Sequence, residues 1–262
     1  MQKALLYPTD LTGEQCNIIQ DLLPQSKGFG RPRREPRQIF NAILYVVRSG
    51  CAWRLLPLDF GPWKTAYEYF RMWRKAGIWQ RIHDFLCSLV RLRAGKRTSP
   101  TAAILDSQSI KTANQGGARG FDAGKKTQGR KRHILVDTLG MILLVMVTPA
   151  NVQDREAACS LLAQLAHNFC RLRCIWADGG YTGRLIEWLR QLRTRRRIQL
   201  QIVKRSQKHG FRVLPKRWIV ERTFAWFLNY RRLRCDYERN IPHSETMIHI
   251  AMIALMLKRL TR

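Results

Sequence analysis

The sequence predicts a mixed α/β protein in two parts: an all-helical, helix-turn-helix-like domain over residues 1–98, and a domain over residues 99–262 whose mixed central sheet is flanked by helices. Before residue 94 the apolar residues recur at helical spacing. After residue 101 short apolar or alternating runs take turns with helical stretches. Between them AGKRTSPT gathers small, polar and proline residues, the composition of a boundary.

In the first part Thr12, with Gln15 three residues on, forms a capping-box pattern, and Ile18, Ile19, Leu22 and Leu23 continue at helical spacing until Pro24. A helix over about 13–23 is expected. A second, over 35–49, carries Ile39, Ala42, Ile43, Val46 and Val47 on one face and stops at Gly50. Pro62 suits the first turn of a third, which runs to Lys75 and presents Tyr67, Tyr69, Phe70, Arg71, Trp73 and Arg74. Two helices joined by a turn, the second basic and aromatic, suit entry into a DNA major groove, with Lys64, Arg71 and Arg74 as candidate contacts. The plainer account is an aromatic core face with solvated charges opposite. Ahead of it KGFGRPRR, with Arg31, Arg33 and Arg34, reads either as an arm along a minor groove or as a short basic loop. A fourth helix is expected over 78–93.

In the second part Ala102 to Leu105 open a strand that carries Asp106 within it or near its end. Residues 113–132, rich in glycine and holding Arg119, Lys125, Lys126, Arg130, Lys131 and Arg132, read as a flexible cationic loop. Strands over 133–137 and 141–147 make a hairpin, Gln153 or Asp154 opens a helix to about His167, and a strand over 173–177 ends at Asp178. Thr182 is placed to cap a helix reaching Arg193, a short strand covers 200–203, and a last helix carries Glu221.

Composition sets the partner. The chain holds 47 Lys and Arg against 18 Asp and Glu, a formal net charge of +29, with 45% hydrophobic residues. That apolar share suffices for a folded core, and the charge favours a polyanion. Double-stranded DNA fits better than a membrane surface, because the eight Trp are not gathered into an amphipathic segment. The start MQKALLYPTD has no apolar h-region, and Asp137 and Gly140 interrupt the longest apolar stretch, so neither an export signal nor a membrane span is expected. Seven cysteines, an odd number without CxxC spacing, read as reduced thiols of a cytoplasmic protein, and His167, Cys170 and Cys174 lack a fourth ligand for zinc.

Against this basic background three acidic residues stand among apolar neighbours: Asp106 in AAILDSQSIK, Asp178 in CIWADGGYTG and Glu221 in RWIVERTFAW. Each alone has an ordinary reading. Asp106 suits a strand end, Asp178 suits a turn through Gly179 and Gly180, and Glu221 suits an i,i+4 ion pair with Arg217 worth about 0.2 to 0.5 kcal/mol. Ile219, Thr223, Trp226 and Tyr230 track a different face, so core packing does not require Glu221. Jointly the three fit phosphodiester chemistry, in which two ions about 3.5 to 4 Å apart serve the nucleophile, the phosphoryl oxygens and the leaving oxygen. Carboxylates are the holders that Mg(II) prefers. The expected cofactor is two Mg(II) ions, with Mn(II) as a substitute: Asp106 shared, Asp178 on one and Glu221 on the other.

The segments LTGEQ…LLP, GRPRREPRQIFNAILYVVRSGCAWRLLP, FGPWKTAYEYFRMW, ILDSQSIKT, GFDAGKKTQGRKRHILVDTLG, NVQDREAA, WADGGYTG and RWIVERTFAW…YRRLRCDYER follow one another along nearly the whole chain. In them the sequence resembles bacterial insertion-sequence transposases of the DDE class, in particular insertion sequence family five. The resemblance implies an RNase H-like catalytic domain and Asp106, Asp178 and Glu221 as its catalytic triad. It also implies binding of terminal inverted repeats by the N-terminal part, metal-dependent cleavage and strand transfer, and a homodimer or larger synaptic complex. Asp178 follows Asp106 by 72 residues and Glu221 follows Asp178 by 43, leaving little room for a large inserted domain. Where related transposases place Tyr, Arg, Glu and Lys around the catalytic Glu, Arg217 and Glu221 match, but Leu214 and Leu228 stand at the Tyr and Lys positions. DNA-backbone contacts near Glu221 are then expected from Arg222, Arg231 or Arg232, beside Arg217. Two other classes stay open: a DNA-binding regulator or inactive transposase remnant, and a metal-dependent nuclease or resolvase without strand transfer.

Overall fold

The computed structural model describes residues 6–24, 34–114, 116–165, 169–192, 197–203 and 216–262. Four helices come first: α1 (Gly13–Ile19), α2 (Pro36–Ser49), α3 (Trp63–Lys75) and α4 (Ile78–Arg93). The Thr12–Gln15 capping box forms, and α1 tightens into a 3-10 turn over Gln20–Leu22. Gly50 ends α2 at φ +75°, and a Cβ there would meet Arg231 at 2.8 Å. A left-handed turn and a close approach both require glycine at that point. Two 3-10 turns, Trp53–Leu55 and Leu58–Phe60, separate α2 from α3, a longer connection than the three or four residues of a compact helix-turn-helix. The inner face of α3, Ala66, Phe70 and Trp73, is buried against Phe40, Trp53 and Trp79, so the aromatic pattern of this helix is a core pattern.

The sheet has six strands: β1 (Ala102–Lys111), β2 (Gly120–Asp122), β3 (Thr127–Asp137), β4 (Ile142–Pro149), β5 (Cys174–Ala177) and β6 (Gln199–Ile202). β3 runs antiparallel to both β1 and β4, and β5 runs parallel to both β1 and β6. The order β4-β3-β1-β5-β6, antiparallel on one side of β1 and parallel on the other, is an RNase H-like sheet. β2 extends the β4 side of β3. Alternation along β1 splits the core: Ala103 and Leu105 pack with α5 (Asp154–Ala163) and α6 (Arg184–Gln191), whereas Ile104 packs with the opposite layer, α4, α7 (Trp218–Phe227) and α8 (Ile241–Leu260). That layer also holds residues of α1 to α3, so the first helices and the sheet share one hydrophobic core. A buried ion pair between Arg91 of α4 and Asp137 at the β3–β4 turn reinforces the contact.

Several expectations need correction. Residues 113–132 are not one flexible loop, since they supply β2, a turn and the first half of β3. The charges of Arg130, Lys131 and Arg132 are taken up internally, whereas Arg119, Lys125 and Lys126 are exposed. Arg130 donates to Asp236 at 3.1 Å and to the carbonyls of Glu238 and Arg239, and Arg132 donates to the Leu233 carbonyl over the Phe227 ring. Lys131 reaches Asp154 at 3.2 Å and Asp122 at 3.5 Å. Thr182 does not cap α6: its hydroxyl donates to the Gly179 carbonyl, and Gly183 at φ +83° precedes the helix. The twenty-residue α8 was not expected at all. Arg31, Arg33, Leu214, and the helix ends expected at His167 and Arg193 lie outside the described residues.

Candidate active site

Asp106 sits in mid-strand, opposite Ile134 of β3. The parallel register pairs Ile104 with Trp176, so two residues further along each chain Asp106 and Asp178 come level at the same end of the sheet. Asp178 leaves β5 and caps the 3-10 turn Gly179–Tyr181, accepting from the Gly180 N–H at 2.9 Å. Glu221 lies in the first turn of α7, whose Ile219, Val220, Thr223, Phe224 and Phe227 face the core and leave Glu221 outward. The turn at Gly140, φ +82°, lets this helix approach: a Cβ there would meet Thr223 Oγ1 and Trp226 at 2.8 Å.

The three carboxylates converge on one cation. Arg217 Nη2 lies 3.6 Å from Asp106 Oδ2, 3.8 Å from Asp178 Oδ2 and 3.7 Å from Glu221 Oε1. The i,i+4 pair with Glu221 therefore exists, as one arm of a larger arrangement. Exposure is graded, with side chains 14% exposed at Asp106, 33% at Asp178 and 61% at Glu221. Burial accordingly pushes the Asp106 carboxyl up to about 6, and Asp178 adds to the rise, while the Ser107 N–H at 2.8 Å and Arg217 oppose it.

A site that gathers three acids and desolvates one of them stabilises a cation at its centre. The donors are hard oxygens, the set a divalent ion such as Mg(II) requires. In the arrangement described they surround a guanidinium nitrogen, and among the described residues no three His, Cys, Asp or Glu side chains stand ready-made as a metal cage. Seating an ion therefore requires Arg217 to turn aside.

Residues 97–257 match the family model described as "Transposase DDE domain", and residues 11–83 match one described as "Putative transposase of IS4/5 family". The chain belongs to the transposase DDE-domain family. It is 36% identical over 118 residues to the "Putative transposase for insertion sequence element IS402" of Burkholderia cepacia, covering 42% of this chain and 54% of that protein. It is 34% identical over 114 residues to an IS402 16.2 kDa protein of the same organism, covering 39% of this chain and 74% of that one. The chain thus spans about half the length of the first of these relatives. A piggyBac transposase synaptic complex with hairpin DNA aligns over 94% of this chain and 70% of that one, at 12% identity and a TM-score of 0.43.

The cations expected to meet DNA differ in exposure. Lys64, Lys125, Lys126 and Arg231 are exposed; Arg34 is exposed too, with one nitrogen on the Phe60 carbonyl at 3.0 Å. Arg71 is half-buried beside Glu68 at 3.1 Å, and Arg74 is half-buried. Arg130, Lys131, Arg132 and Arg232 are buried, and Arg232 is bound to Glu238 at 2.8 Å. These four are buried with internal partners, not on an open surface where the sequence reading expected DNA contacts. Arg222 donates to the Leu139 carbonyl and lies between the Trp218 and Trp226 rings. Arg217 is the one whose role exceeds the sequence reading, because only its i,i+4 pair with Glu221 leaves a local signature, while its contacts with Asp106 and Asp178 join separate segments. Among the described residues no helix is long and apolar enough to cross a membrane.

Proposed function

We propose that this protein is the DNA transposase of an insertion sequence, an enzyme that cuts element ends and joins them to target DNA with the help of divalent cations. The convergence of Asp106, Asp178 and Glu221 on Arg217, within a DDE-family domain, carries this reading. Two Mg(II) ions, or Mn(II), held by the three carboxylates would acidify an attacking water and neutralise charge on the phosphate oxygens. Asp106 would be the shared ligand, with Asp178 and Glu221 holding one ion each.

Cleavage forms a bond from water oxygen to phosphorus and breaks the bond from phosphorus to the 3′-oxygen. The water gives up one proton and the 3′-oxygen takes up one, which leaves a 3′-hydroxyl and a 5′-phosphate. In transfer the 3′-hydroxyl replaces the target's 3′-oxygen on phosphorus, so one phosphodiester forms as another breaks. Arg217, turned away from the carboxylates, would reach the substrate phosphate with a planar fork suited to it.

We assign recognition of terminal inverted repeats to residues 1–98, where Lys64 and Arg71 lie on the outward side of α3, and catalysis to residues 99–262. Joining two ends implies at least a dimer, working in the bacterial cytoplasm on double-stranded DNA. The test is incubation with labelled element ends, Mg(II) and a plasmid target. Covalent joining of label to plasmid supports transposition; nicking without joining supports a nuclease, and binding without nicking a regulator.

A further inference from the structure

The segment GFDAGKKTQGRKRH forms the β2–β3 hairpin, and its turn hands one exposed lysine back to the catalytic strand. Lys125 Nζ donates at 3.3 Å to the carbonyl of Ser107, the residue directly after Asp106, and its charge opposes the rise at the Asp106 carboxyl. The turn is held from several sides. The Lys125 N–H donates to Asp122 Oδ1 at 3.0 Å, and Asp122 Oδ2 accepts from Ser109 Oγ of β1 at 2.5 Å. Lys131 faces Asp122 at 3.5 Å, donates to the Val152 carbonyl at 3.0 Å and pairs with Asp154 at the start of α5. Lys126 adopts φ +48°, a left-handed conformation that side chains other than glycine rarely take. A lysine serving only as diffuse positive charge needs no such framework.

We infer that Lys125 is a catalytic residue that grips a non-bridging oxygen of the scissile phosphate beside Asp106, and that Asp122, Lys131 and Asp154 are its positioning residues. This rests on the transposase reading of the triad. A preorganised ammonium next to developing phosphoryl charge binds the transition state better than the ground state, so its loss lowers turnover more than affinity.

The test is single-turnover nicking of labelled element-end DNA with Mg(II) at saturating protein, alongside a separate binding titration. Lys125→Ala is expected to slow nicking by about 100-fold while changing DNA affinity far less, and Lys125→Arg to recover part of the rate. Asp122→Asn, which keeps the side-chain shape but weakens the hold on the turn, is expected to slow nicking in the same sense. Nicking by Lys125→Ala at the wild-type rate overturns the inference and leaves the triad standing; an unchanged rate in Asp122→Asn overturns the positioning chain. A wild-type protein that does not nick, or an Asp106→Ala variant that does, overturns the underlying reading instead.

Discussion

Arg217 Nη2 stands 3.6 Å from Asp106 Oδ2 and, at nearly equal distance, touches a carboxylate from each of two other segments. One guanidinium thus offsets the mutual repulsion of three acids drawn from β1, the end of β5 and α7. It occupies the position that the proposed divalent cation would contest.

Replacing Arg217 by Ala removes that counter-charge. After solvent screening of partly exposed acids the cost is on the order of 1 kcal/mol, a drop of about 2 to 4 °C in unfolding temperature for a chain of this size. Added Mg(II) or Mn(II) is expected to raise the unfolding temperature of Arg217→Ala by more than that of the wild type. Thermal melts with and without the ion check this; equal rises would show that the guanidinium and the ion do not compete.

Asp106 makes the protein less stable at neutral pH than a neutral side chain would. Its folded pKa, about 6, is raised above the unfolded 3.8 by burial, so its favourable contribution is present below about pH 4 and lost as pH rises through 6. Asp106→Asn is therefore expected to stabilise the metal-free protein above pH 6 by up to about 2 to 3 kcal/mol, with the advantage fading towards pH 4. Denaturant melts at pH 4.5 and 7.5 measure the difference. No gain at pH 7.5 would mean that the carboxyl is not desolvated as described.

His133 acts in the opposite sense. Burial, its main perturbation, holds the ring at about 4, below its usual 6.5, and His243 is lowered likewise. Both are neutral when folded, so their contribution is present above pH 6.5 and lost as pH falls towards 4. His133→Gln is expected to flatten the acid side of the stability profile; an unchanged slope between pH 6.5 and 4 would count against a buried neutral ring.

Arg130 distinguishes a structural arginine from a DNA contact. Removing one partner of its buried pair with Asp236 is expected to cost about 3 to 5 kcal/mol, with binding by the remaining folded protein nearly unchanged. Denaturant melts of Arg130→Ala beside DNA titrations decide it. Wild-type stability with weakened binding would return Arg130 to the DNA surface.

Much of this was legible in the sequence for identifiable reasons. α4 was expected over 78–93 and is found at Ile78–Arg93, because its apolar stripe is regular and Gly77 precedes it at φ +67°. The level placement of Asp106 and Asp178 followed once their strands were known to be parallel neighbours. Two features resisted. α8 is apolar almost all round because it is buried between α4, β4 and α2, so it lacks the one-sided pattern by which a surface helix is recognised. The 113–132 stretch reads as a flexible cationic loop because Asp236, which pairs with Arg130, lies 106 residues further along the chain. Charge in a sequence is visible; the distant acid that cancels it is not.

The most direct measurement is Mg(II)-dependent nicking of element-end DNA by Asp106→Ala, Asp178→Ala and Glu221→Ala, each compared with wild type at equal DNA occupancy. Wild-type nicking with all three variants silent, their DNA binding largely kept, is the result expected of a site in which three carboxylates act as one. Retained nicking in any of the three would contradict it.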